Sequence, residues 1–320
     1  MKKPLVSVVI ATYNRRKYLR YALESILSQT YTNLEVIVVD DGSTDGSENL
    51  VKSYNDKRIK YIYQENGGQN NAKNTGLCSA KGKYLSILDS DDIWHSQKVE
   101  KQVKVLEAKP DVGLVYCGTN IIDEDNNLID TQPMVFYRGN VVDKLMMKNF
   151  LYNGSNAMYR AECIYKTGVF DNSVKRMTDW DLYLRISLSY NFDYVNEYLL
   201  YYRVHNDNMS CGFEKYEEAG LKILERLFDN PLLSKNHKKL RNKAYAARYS
   251  YMARRYFENA QMSIARKNIQ KAFCFSPSVF FKTRLPVLLV SSFLPDELVG
   301  KLRSINRMLK SKQPLLNNNK

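Results

Sequence analysis

The chain has 320 residues, 44% of them hydrophobic, with a mean hydropathy of −0.46 and a formal net charge of +14. That length allows one full-sized domain plus an extension, and that polarity excludes an integral membrane protein. Pro231 to Lys320 carry 19 lysines and arginines against 3 acids, leaving 29 against 31 for residues 1–230, so the nearly neutral body gives no support for a nucleic-acid partner.

The first residues, MKKPLVSVVIATYN, run from two lysines straight into a β-branched strand. No apolar leader or small-residue cleavage site intervenes, the pattern of a cytoplasmic protein. After the strand LVSVVIAT, RRKYLRYALESILSQT sets Leu19, Ala22, Leu23, Ile26 and Leu27 on one helical face. LEVIVVDD is a second strand, and Ser43 or Thr44 can cap the short helix that runs to Tyr54. RIKYIYQ is a third strand, QNNAKNTGLCSA a helix, KYLSIL a fourth strand, SQKVEKQVKVLEA a helix capped by Ser96, and VGLVYCGT a fifth strand. This βαβ alternation predicts an α/β fold with a mostly parallel, Rossmann-like central sheet and helices on both faces. Ligands of such sheets sit beyond the carboxyl ends of the strands, where TYN, DDGSTD and DSDD fall.

Beyond residue 120 the pattern is mixed. IIDEDNNLID predicts a hairpin around Asn126-Asn127, NVVDKLMMKNFL a helix, SNAMYR a strand, DWDLYLRISLSY a helix and FDYVNEYLLYYRVH a long edge strand. From about Gly212 only helical patterns remain, so residues 1–211 are read as the main domain and 212–320 as a basic helical extension. Within it, Tyr249, Met252, Ala253, Tyr256, Ala265, Ile269, Ala272 and Pro277 have the spacing of one tetratricopeptide unit. A single unit cannot build a solenoid, which leaves a helical hairpin packed on the main domain. LPVLLVSSFL, residues 285–294, is far shorter than the ~20 residues that span a bilayer. With the basic charge of residues 231–320 it reads either as a helix at an anionic membrane surface or as a tail docked on its own domain. Cys78, Cys117, Cys163, Cys211 and Cys274 show no C-x-x-C or Cys/His clustering, as expected of reduced packing residues.

The densest chemistry is in KYLSILDSDDIWH, where Asp89, Asp91 and Asp92 crowd one strand end. Carboxylates so close need a positive partner. An EF-hand starting at Asp89 fails, because Ile93 and Trp94 take the positions of an oxygen ligand and the turn glycine. An aspartyl-nucleophile phosphatase would carry its D-x-D on the first strand, not the fourth. A nucleotidyltransferase of similar fold would show a G-x-G-x-R loop after the first strand, which ATYNRR lacks. A non-catalytic sugar-binding module stays open as an alternative. The remaining reading is a D-x-D, Asp89-Ser90-Asp91, suited to Mg²⁺ or Mn²⁺ bridging a diphosphate.

SVVIATYNR, EVIVVDDGSTD, AKNTGL, YLSILDSDD and DWDLYLR follow one another in the order and spacing of the family 2 glycosyltransferases, which the chain resembles over roughly residues 4–206. The resemblance implies the GT-A fold and inverting transfer from a nucleotide sugar, with residues 1–120 as the nucleotide-binding half and 121–211 as the acceptor and catalytic half. On that basis Thr12 and Tyr13 lie at the nucleotide, Tyr13 stacking on the base. Asp41 accepts from a base N–H, or else serves the next helix as a cap. A carboxylate facing an imide points to a UDP-sugar, although guanine also offers N–H groups. Lys73 stands where the family has an arginine reaching the nucleotide; it keeps the charge but loses the bidentate fork. Asn74 and Gly76 shape the same turn. Asp91 is the metal ligand, and His205 of YYRVH contacts the metal or a phosphate, a loop histidine being the alternative; Asp89 contacts ribose or water on the metal; Asp92 is structural, with helix capping or support of the metal ligand as its options. Asp179 aligns with the general base, although Thr178 replaces the acid that usually precedes it, while Asp181 points elsewhere. Trp94, Gly154 and Trp180 are acceptor-side candidates, with core packing the alternative for Trp94. The basic tail makes a lipid-linked glycan, in assembly of a bacterial surface polysaccharide, the expected acceptor.

Overall fold

The computed structural model describes residues 3–205 and 215–294. The expected boundary at residue 211, Cys211 and the tail beyond Leu294 lie outside the described residues. The first half runs β1 (Val6–Thr12), α1 (Arg16–Leu27), β2 (Leu34–Asp40), α2 (Ser47–Ser53), β3 (Ile59–Tyr63), α3 (Gln69–Ser79), β4 (Tyr84–Ile87), β5 (Ile93–Trp94), α4 (Lys98–Ala108) and β6 (Val112–Ile122). There follow β7 (Leu128–Thr131), α5 (Val142–Met147), β8 (Met158–Arg160), α6 (Ala161–Thr167), α7 (Thr178–Ser187) and β9 (Asn191–Arg203).

The strands form one sheet in the order β3-β2-β1-β4-β8-β6-β9-β5, with β7 paired to β6 as a hairpin. β1, β2, β3 and β4 are mutually parallel, as are β6 and β9. β1 is buried at every position, as expected of a strand covered on both faces. α1 covers one face with Leu19, Ala22, Leu23 and Ile26. α3 covers the other so closely that a Cβ on Gly76 would come within 2.3 Å of Val9 Cγ1. Gly76 is therefore a close-packing residue between helix and sheet.

Several local expectations are corrected. β8 inserts antiparallel between β4 and β6, so the sheet is mixed at its centre. β9 is not an edge strand, because β5 pairs with its Leu200 and Tyr201; a two-residue strand leaves no periodic trace in sequence. α2 is not capped by Ser43 or Thr44: Asp45 Oδ1 accepts from Ser47 N at 3.0 Å, and Ser43 Oγ accepts instead from Asn14 N. α4 begins after Gln97 without a side-chain cap, and the Ser96 carbonyl accepts from Thr30 N.

The described residues divide into two compact units. One comprises the residues up to Ala219 with Asp229–Leu233; the other comprises Gly220–Phe228 and the residues from Ser234 on. α8 (Lys215–Asp229) contributes to both, and the second unit adds α9 (Lys235–Lys238), α10 (Arg241–Glu258), α11 (Met262–Phe275), α12 (Pro277–Lys282) and α13 (Leu285–Ser291). α10 and α11 form a hairpin that buries Tyr249, Met252, Ala253, Tyr256, Ala265, Ile269 and Ala272. No helix among the described residues is long and apolar enough to cross a membrane.

Candidate active site

At the carboxyl end of β1, Tyr13 is half exposed while Thr12 is buried, its hydroxyl without a hydrogen-bond partner. Asn14, at φ 51°, ties this turn to the one after β2: it donates to Ser43 Oγ and accepts from Thr44 N at 2.8 Å. Asp41 is buried and accepts from Gln64 Nε2 at 2.7 Å and from the N–H groups of Gly67 and Gly68, both at 2.9 Å. It caps no helix; it holds the loop that leads into α3.

The three crowded aspartates each have a separate partner. Asp89 Oδ1 lies 2.9 Å from Lys73 Nζ. Asp91 Oδ2 lies 3.0 Å from His205 Nε2. Asp92 is fully buried and accepts from Ser155 Oγ at 2.6 Å and Arg203 N at 3.1 Å. Burial, then the charges of Asp91 and Asp89, push its carboxyl well above the usual range. Asp92 thus fastens β9 and the loop before β8 to the turn after β4 and caps no helix. Arg203, wholly buried, reinforces that junction by donating to the carbonyls of Asp91, Asp123 and Glu124 and to Asn126 Oδ1. The His205 ring stacks on Tyr18 with centroids 4.9 Å apart, which fixes its plane.

Asp179 sits in the first turn of α7, after Met177 in the left-handed conformation, φ 58°. Such a residue is costly without glycine and persists only where the surroundings impose it. α3 anchors the segment that leads up to it: Asn74 exchanges two hydrogen bonds with the backbone of Phe170, and Asn70 donates to the carbonyls of Asp171 and Val174. Asp179 Oδ1 is buried, takes no hydrogen bond and lies 3.9 Å from Lys73 Nζ. Burial raises the Asp179 carboxyl, Lys73 pulls it back, and Asp89 adds repulsion, for a net rise. Lys73 is buried between the two acids; although burial opposes its charge, Asp89 and Asp179 outweigh that and raise its pKa. Asp181 turns away to pair with Arg185 at 2.9 Å.

Gly154 does not open space for a sugar: the position of its missing Cβ is 2.7 Å from Asp179 Oδ1. Both tryptophans are also corrected as acceptor contacts. Trp94 is 3% exposed, its indole N–H donates to the Ser155 carbonyl, and the Lys98 ammonium covers its ring at 3.9 Å. Trp180 is 2% exposed and donates to the Leu145 carbonyl. Neither presents a face to a ligand. Ser155, the first residue of SNAMYR, was not among the site candidates, yet its hydroxyl accepts from Asp89 N while donating to Asp92, and its carbonyl holds Trp94.

The profile described as "Glycosyl transferase family 2" matches residues 7–168. The chain belongs to this family. An uncharacterized glycosyltransferase of Rickettsia typhi is 38% identical over 236 residues, 70% of this chain and 73% of the relative. One of Methanocaldococcus jannaschii is 36% identical over 222 residues, 67% of this chain and 76% of the relative. Chondroitin synthase of Escherichia coli is 32% identical over 212 residues, 65% of this chain but 30% of that protein. Among solved structures, S. aureus TarS 1-349 in complex with UDP-GlcNAc gives a TM-score of 0.67 at 18% identity, over 95% of this chain and 91% of that one. The mannosyltransferase PcManGT from Pyrobaculum calidifontis, in complex with GDP-Man and Mn²⁺, gives 0.59 at 22% identity, over 98% and 82%. These likenesses fit the mixed sheet to the GT-A fold. The family 2 transferase accordingly gathers Lys73, Asp89, Asp91, Asp179 and His205 at one end of its sheet, and sets Trp94 and Trp180 in its core.

Proposed function

We propose that this transferase moves a sugar, with inversion, from a UDP-sugar to a hydroxyl of a glycan. Asp179 is the general base, and its environment carries the reading: a carboxylate about one-fifth exposed, with one buried and unbonded oxygen and its pKa raised, stands beside the Lys73–Asp89 pair. A raised carboxyl pKa brings a base nearer to the working pH, where proton abstraction is most effective. Asp179 accepts the hydroxyl proton as that oxygen attacks the anomeric carbon from the face opposite the departing diphosphate. Lys73 holds Asp89 and keeps Asp179 ionised, while Tyr13 offers its exposed ring to the base and Asp41 its carboxylate to an imide N–H.

Asp91 and His205 fit a divalent ion, Mn²⁺ or Mg²⁺. Asp91 Oδ2 and His205 Nε2, 3.0 Å apart, are the oxygen and nitrogen donors that would hold it. When bound, the ion offsets the charge that builds on the leaving diphosphate. The cationic character of Pro231–Lys320 supports a lipid-linked acceptor at the cytoplasmic face of a membrane, as in bacterial surface-polysaccharide assembly.

A thermal-shift panel of nucleotide sugars with Mn²⁺ identifies the donor, and Asp179→Asn then abolishes transfer while donor binding persists. Asp91→Ala loses metal-dependent UDP binding. Undiminished transfer by Asp179→Asn refutes the assignment of the base.

A further inference from the structure

The short helix α13, LPVLLVS, is apolar on two opposite sides. Leu285, Leu288 and Leu289 pack into the small core of the second unit with Tyr249, Ile269 and Phe280. Val287 and Val290 are 65% and 68% exposed, and Phe281 and Phe293, before and after the helix, are 69% and 70% exposed. Residues 285–294 contain no charge. A helix that is apolar all round belongs in a core or in lipid, and this one, seven residues long, cannot span a bilayer. Its surroundings are cationic: Lys282 and Arg284 are exposed just ahead of it, Lys267 and Lys271 are exposed on α11, and the Arg266 guanidinium sits 4.8 Å over the Phe293 ring while donating to the Ser292 carbonyl. Between Pro231 and Leu294 there are thirteen lysines and arginines and one acid, Glu258.

We infer that the outer side of α12–α13 is a membrane-seating surface for anionic phospholipid, with Phe281, Val287, Val290 and Phe293 entering the headgroup boundary and Lys282 and Arg284 binding the phosphates. Charge complementarity selects this occupant: an anionic headgroup layer over an acyl interior matches a cation-rimmed apolar patch. A nucleic acid would match the cations but leave the two valines without a partner. The inference rests on the reading of the basic tail as a surface-binding segment, and it locates that function in particular residues.

The test is flotation of the full chain at low salt with vesicles of phosphatidylcholine alone or mixed equally with phosphatidylglycerol. The chain floats with the mixed vesicles and not with phosphatidylcholine alone. Val287→Ser/Val290→Ser lowers the partition coefficient roughly tenfold, and Lys282→Gln/Arg284→Gln lowers it at least about tenfold and weakens its salt dependence. Far-UV circular dichroism and donor hydrolysis stay as in the wild type for both variants. Equal flotation of the valine variant, equal binding to neutral vesicles, or a wild-type dimer by light scattering that the valine variant dissociates overturns the inference, the last by naming a second copy as the occupant. Loss of donor hydrolysis in the wild type would strike the transferase reading and leave the flotation result standing.

Discussion

Replacing Gly154 by alanine tests the placement of the base with one methyl group. The added Cβ would lie 2.7 Å from Asp179 Oδ1 and 3.0 Å from its Cγ, where ordinary contact begins at 3.4 Å. Gly154 is not among the residues with positive φ, so alanine meets no backbone penalty and the whole effect is this contact. To relieve it the carboxylate must retreat by about 0.7 Å, and displacement of about 1 Å at a reacting group costs ~10²-fold in rate. The expected result is a kcat lower by roughly 30- to 100-fold with donor Kd unchanged, and a stability loss of about 1–3 kcal/mol from overpacking. Initial rates of labelled sugar transfer, calorimetric donor binding and urea denaturation measure the three quantities. A variant with wild-type kcat would refute the claim that this contact positions the base.

Lys73→Met removes a cation 3.9 Å from Asp179, an attraction of about 4 kcal/mol at an effective dielectric constant of 20, and less after screening at this one-fifth-exposed carboxylate. Because Lys73 lowers the Asp179 pKa, its loss raises it; the acid limb of kcat against pH moves upward, so the variant is impaired more at pH 6 than at pH 8, and an unmoved limb contradicts the coupling. Arg203→Met removes the guanidinium that bonds the part-buried carbonyls of Asp91, Asp123 and Glu124 and costs about 3–5 kcal/mol in urea denaturation. Burial lowers Lys98 to about 8. The unfolded chain then binds more protons than the folded one between roughly pH 8 and 10.4. Wild-type stability therefore rises through that window, and Lys98→Met flattens the rise; identical pH profiles of stability would contradict it.

The alternation of buried strands and amphipathic helices through residue 120 is legible because it is local. β1 and α1 carry their burial pattern within a dozen residues each, and the polar runs that end β1, β2 and β4 mark one sheet edge. Two of the five ordered motifs, YLSILDSDD and DWDLYLR, then singled out Asp91 and Asp179, and YYRVH singled out His205. What each aspartate touches was not legible. Asp92 meets Ser155 and Arg203 from 63 and 111 residues away, and Asp91 meets His205 from 114. No periodicity encodes such pairings, because they depend on where β8 and β9 enter the sheet. The tryptophans make the same point: a flat apolar ring serves equally as a sugar platform or a core residue, and only the carbonyls of Ser155 and Leu145 decide the question. By itself the sequence determined which residue types stand at the strand ends, since strand and helix periods are set over a few neighbouring side chains. The tertiary structure alone decided which acid is paired, which has a buried, unbonded oxygen and which glycine backs it, since burial and charge pairing depend on residues that meet only when the chain folds.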